Sequence, residues 1–333
     1  MIDSTLPLID LHRHIEGSVR LETILDLGRK HNLPLPAWDV ENLSRFVQVR
    51  DTQPGVMAFI EKFEWVIGIL VDYDACWRVG YECVEDAFYE GIDYIELRFS
   101  PWFMAQPHRL DPYGVVEATA DGVRNAGRNT GLAVKLIGIL SQTYGPDHAW
   151  RELDALLSQS DKLVGIDLAG DEANFPGEIF VEHIQRARQA GLKVTVHAGE
   201  AVGPGSIWQA LSDLNADRLG HAVSAVEDEV LLDYLVENKI GIESCLTSNV
   251  QTSTVTEYAA HPLRVYLKRG VLATINTDDP RISGIDLRYE YEVAAPAAGM
   301  NQKQIETAQR NALKVAFLSE PERNYLLLKR SKL

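Results

Sequence analysis

Short apolar runs bounded by turn residues alternate with longer stretches of helical periodicity along most of the chain. The β-rich runs are Pro7–His14, Asp93–Pro101, Ala133–Ser141, Leu163–Gly170, Lys193–Glu200, Arg218–Val223, Ile240–Asn249 and Leu272–Pro280. From the second onward each precedes an amphipathic stretch, such as IFVEHIQRARQAG after the fourth and EVLLDYLVENK after the sixth. From there on their starts lie roughly 20–40 residues apart, as βα units require. Eight such units, with runs apolar enough to be covered on both faces, predict a (β/α)8 TIM barrel. A long insert separates the first two runs. It carries helical patterns at Arg20–His31, Val56–Leu70 and Tyr73–Ile92, punctuated by Pro34, Pro36 and Pro54. An insert at that place lies at the C-terminal mouth, so a helical cap over about 18–92 is expected. No linker or low-complexity segment divides the chain, and a single domain over 1–333 is expected.

Against this frame the polar residues become informative. His12 and His14 end the first run, Gly170, Asp171 and Glu172 the fourth, and His197 and Glu200 the fifth. His221 ends the sixth, Ser248 the seventh, and Asp278 and Asp279 the eighth. Active sites of such barrels form at the strand C-termini, so these groups converge on one mouth. Residues i and i+2 of a strand share a side, so His12 and His14 both face inward. With His197 and Asp278 they form three imidazoles and a carboxylate, a donor set suited to Zn²⁺ with room for a water. Such a metal brings the pKa of a bound water to about 7. Glu200, three residues past His197, is placed to give a proton without binding the metal. His221 is a candidate to orient or deprotonate the attacking water, and Asp279 to contact substrate. Arg98, in ELRFSP, reads as a buried structural cation. Asp167 and Asp171 read as loop supports. His31, His108, His148, His183 and His261 fall at no strand end and read as ordinary histidines.

Charge and cysteine content narrow the partners. The net charge of −16 is spread through the chain and repels phosphate backbones and anionic membranes, which disfavours a nucleic-acid polymer or a membrane surface. The three cysteines have no CxxC spacing; Cys76 and Cys83 read as core residues on one helix face. No leader and no apolar run near a membrane span is found, so a cytoplasmic enzyme is expected. Nothing in the sequence addresses oligomeric state.

The series HRHIEG, DLAGDE, TVHAGE, LGHA, CLTSN and NTDDP resembles the adenosine deaminase family of the amidohydrolase superfamily, over nearly the whole chain. ESCLTSNVQTSTV and VAAPAAGM bring it closest to the bacterial members. The resemblance implies hydrolytic deamination of adenosine and 2′-deoxyadenosine at C6, giving inosine or deoxyinosine and ammonia. It implies one Zn²⁺ per chain on His12, His14, His197 and Asp278. It also implies that Glu200 protonates purine N1 and that His221 positions the nucleophile. Asp279 would bond N7, the Gly170 N–H would reach N3, and Ser248 would stand in the surroundings. The zinc deaminases with HxE and PCxxC ligands are a different class, and those motifs are absent. A bridging-lysine binuclear centre is disfavoured, because the fourth run ends LAGDE. Two positions depart from the family pattern. Its HxHxDG has Glu16 here in place of the Asp that contacts ribose, a residue that adenine deaminases carry. Its GHG reads Gly220-His221-Ala222. Adenine deamination is therefore the alternative, ahead of another metal-dependent hydrolase or a binding protein on an inactive barrel.

Overall fold

The computed structural model describes residues 2–330. Eight parallel strands run in sequence order: β1 (Ile9–His14), β2 (Tyr94–Phe99), β3 (Ala133–Ser141), β4 (Leu163–Ala169), β5 (Lys193–Ala198), β6 (Arg218–His221), β7 (Gly241–Ser244) and β8 (Leu272–Ile275). The expected (β/α)8 barrel is thus present. It closes through Asp278, beyond the end of β8: His14 N–H donates to Asp278 O at 2.9 Å, and Asp278 N–H to His12 O at 2.7 Å. Closure therefore locks a metal-ligand candidate of one end of the chain against two of the other.

Two strands stop five residues short of the expected end. β7 stops at Ser244, and Leu246–Gln251 is a short helix, because Glu290 accepts hydrogen bonds from Leu246 N–H and Thr247 N–H at its N-terminus, both at 3.1 Å. Ser248 consequently sits in that helix and not on a strand. β8 stops at Ile275, and Asp278 adopts a left-handed φ of 63° as the backbone swings to meet β1. Asp278 and Asp279 thus follow β8 rather than end it.

The insert does not act as one cover. Val56, Phe59, Ile60 and Phe63 line the cavity at the mouth. The helix Tyr73–Tyr89 instead packs side by side with Pro112–Thr130, so closely that a Cβ on Gly122 would lie 2.1 Å from Trp77 O. The apolar face holding Cys76, Val79 and Cys83 is used up in that packing. All three cysteines are buried and unpaired. Among the described residues no helix is long and apolar enough to cross a membrane.

Candidate active site

The imidazoles converge at the barrel mouth in a way that constrains their protons. His12 and His197 meet Nε2 to Nε2 at 3.0 Å. Their other nitrogens rest on carboxylates: His12 Nδ1 is 2.6 Å from Glu243 Oε2, and His197 Nδ1 is 3.0 Å from Asp167 Oδ2. Each carboxylate accepts the Nδ1 hydrogen, which leaves the two Nε2 lone pairs facing each other. Lone pairs at that separation repel unless a proton or a cation lies between them, so the donor set fits a divalent metal. Asp278 Oδ1 completes it at 3.4 Å from His12 Nε2 and 3.2 Å from His14 Nε2. Among the described residues, ligand atoms of His12, His197, His221 and Asp278 all lie within 4.8 Å of one another. His14 stands at the edge of that group, its ring centroid 5.4 Å from that of His12.

Beneath the histidines the barrel interior is ionic where apolar layers are usual. Arg98 reaches Asp167 and Glu243, each at 2.6 Å, and donates to Leu11 O at 2.6 Å. Arg218 bridges Glu243 to Glu96 and donates to Val315 O at 2.9 Å. Glu96 accepts in turn from Phe317 N–H at 2.6 Å. All five charged side chains are fully buried. Burial works against the Glu243 carboxylate, but Arg218 and Arg98 hold it well below the usual range. Arg98 is structural, as its sequence context suggested. Asp167 is not a loop support: β4 aims it inward, where it orients His197. Glu243 was missed altogether, although a carboxylate inside the apolar run of β7 was the signal. Asp171 does support its loop, accepting from Asn174 N–H at 3.2 Å.

Glu200, Glu16, Gly170, Ser248, His221 and Asp279 share one cavity with His14, His197 and Asp278. Glu172 fixes the turn bearing Glu200, accepting from the N–H groups of Gly199 and Val202, both at 3.0 Å, and of Ala201. Burial, then the charges of Asp278 and Glu172, pushes the Glu200 carboxyl well above its ordinary pKa. Asp279 is raised likewise, by burial and by Asp278. His221 and Ala222 both adopt left-handed backbone, φ 56° and 48°, held by Tyr266 OH at 2.7 Å from Ala222 O. The family's glycine at 222 would take that conformation more readily than alanine does. Glu16 Oε2, Ser248 Oγ and Asp279 Oδ1 are buried with no hydrogen-bond partner, the condition of groups that await a ligand. Gly17 allows Asp279 its place, since a Cβ there would lie 1.8 Å from Asp279 Oδ1. Gly17→Ala should therefore displace that carboxyl and lower kcat/KM by about tenfold, the worth of one hydrogen bond to a ligand. Steady-state kinetics beside metal analysis checks this; unchanged kinetics would mean that Asp279 does not bind substrate.

A (β/α)8 barrel with histidines and an aspartate gathered at its mouth is the architecture of a metal-dependent hydrolase of the amidohydrolase kind. The family profile described as adenosine deaminase matches residues 7–332. An adenosine deaminase of Vibrio parahaemolyticus is 56% identical over 323 residues, 97% of each chain. One of Vibrio cholerae is 55% identical over 329 residues, covering 99% of this chain and 98% of its own. Among solved structures, an adenine deaminase of Arthrobacter aurescens superposes with a TM-score of 0.88 at 26% identity, covering 98% of both chains. The chain belongs to the adenosine deaminase family.

Proposed function

We propose that this protein hydrolyses adenosine and 2′-deoxyadenosine at purine C6, yielding inosine or deoxyinosine and ammonia. The observation that carries this reading is the Glu200 carboxyl, set by a fixed turn in the same cavity as an imidazole–carboxylate metal donor set, where burial pushes its pKa up. His12, His14, His197 and Asp278 would hold one Zn²⁺ per chain. When bound, the metal makes a water nucleophilic near neutral pH. The residues of the chain supply the rest. Glu200 gives its proton to N1, which makes C6 electrophilic. His221 orients the attacking oxygen and stabilises developing charge. Asp279, its pKa pushed up by burial and Asp278, donates to N7, while the Gly170 N–H reaches N3. Proton transfer and charge stabilisation both strengthen towards the transition state, which is what accelerates the reaction. The substrate is a free nucleoside in the cytoplasm and not a polymer, consistent with the charge of −16. The chain is read as one domain over 1–333 with a helical cap insert over about 18–92, of which Val56, Phe59, Ile60 and Phe63 line the cavity.

Glu16 decides the sugar. Its Oε1 accepts from Ser100 N–H at 2.7 Å, while Oε2 is free for a ribose hydroxyl. Adenine deamination is not favoured: the two Vibrio relatives, at 56% and 55% identity, are adenosine deaminases. Glu16→Ala should lower kcat/KM for adenosine by about one to two decades and scarcely affect adenine. An ultraviolet assay of adenosine, deoxyadenosine and adenine side by side tests both points. Faster turnover of adenine by the wild type would overturn the nucleoside reading.

A further inference from the structure

The side-chain amide of Asn249 lies between two buried histidines. Its Nδ2 is 3.1 Å from His221 Nδ1 and 3.2 Å from Thr254 Oγ1, and its Oδ1 is 3.2 Å from His261 Nε2. His261 Nδ1 is committed, because it accepts from the backbone N–H of Leu263 at 3.1 Å. A backbone N–H can only donate, so that nitrogen bears the lone pair. Burial drops the His261 pKa to about 3, so the ring is neutral and its single hydrogen sits on Nε2, aimed at Asn249 Oδ1. The amide is thereby oriented with Nδ2 towards His221. Thr254 agrees independently: its hydroxyl donates to Asn249 O at 3.1 Å and keeps a lone pair for the amide. His221 Nδ1 must then accept. A ring whose Nδ1 accepts carries its hydrogen on Nε2, here the edge facing Asp278 Oδ2 at 3.8 Å.

We propose that Asn249 and His261 are positioning residues that lock His221 in its Nε2–H tautomer, making it a hydrogen-bond donor at the reacting centre and barring it from the metal. Neither residue lines the cavity. The lock explains how His221 can sit among the clustered ligand atoms while His14, at the edge, serves as the ligand. What the donor is used for rests on the deaminase reading; the tautomer itself does not.

The test is long-range ¹H–¹⁵N spectroscopy of the metal-loaded, histidine-labelled protein, with His221 assigned from the signal missing in His221→Gln. The expected wild-type pattern is Nε2–H. Asn249→Asp replaces the donor by an acceptor, so His221 should change to Nδ1–H. Its kcat should then fall about 10–100-fold while KM stays within about twofold. His261→Leu frees the amide and should lower kcat, and His261→Gln, which can still donate, should recover most of that loss. An Nδ1–H pattern in the wild type, or an unchanged tautomer in Asn249→Asp, overturns the proposal. If Asn249→Asp fails to fold, the His261 pair answers alone, and equal losses in both variants overturn it. Wild-type protein with the expected tautomer but no turnover of adenosine would remove the functional reading and leave the lock standing.

Discussion

Glu200→Gln is expected to keep its metal and bind purine ligands while kcat falls by about 10²–10⁴-fold, the usual worth of a general acid. The substitution is nearly isosteric, and the turn that bears residue 200 is fixed by Glu172 through three backbone N–H groups, so the geometry should survive. Only the transferable proton is lost. Burial, reinforced by Asp278 and Glu172, raises the pKa of that carboxyl and so favours the protonated acid before substrate arrives. Metal analysis and inhibitor titration beside kcat separate this outcome from a damaged site. Near-normal kcat with metal retained would place the proton donor elsewhere.

His197→Ala should remove both metal and activity. Loss of a partner that merely supports a ligand costs roughly 10–100-fold in metal affinity, and loss of a ligand itself should cost more. The substitution also strips Asp167 of its imidazole partner, although Arg98 at 2.6 Å still compensates the carboxylate and should let the protein fold. Elemental analysis should find one equivalent in the wild type and little in the variant, with activity falling in parallel. Two equivalents in the wild type, or full activity of the variant without metal, would overturn the single-metal site.

The barrel was legible because its strands are apolar runs punctuated by turns, and the site because its polar residues break those runs at one end. What escaped was set by distant parts of the chain. The sequence IGIESCLTSN reads as one strand through Asn249. It turns helical at Leu246 because Glu290, more than 40 residues onward, caps the N-terminus. The run ending at Pro280 looks extended too, until Asp278 bends to pair with β1. His261 seemed ordinary because it ends no strand; its importance lies in which atom of Asn249 it faces. Glu96 and Arg98 alternate in YIELRF, and Glu243 interrupts IGIES, so a buried charge on an inward face was visible in each. Their pairing with Arg218 across the barrel was not.

That pairing has a meaning for ion choice. The side chains tied to the donor set comprise two cations, Arg98 and Arg218, against the anions Glu96, Asp167, Glu243 and Asp278. Burial and the Asp278 charge push Glu200 and Asp279 towards their neutral forms. The balance is short by two positive charges, which a divalent ion on the donor set would supply. A monovalent occupant would leave net charge in a medium that solvates it poorly. The charge that a bound metal would meet is therefore set along the whole barrel axis, down to the carbonyl of Val315 that steadies Arg218 at its foot.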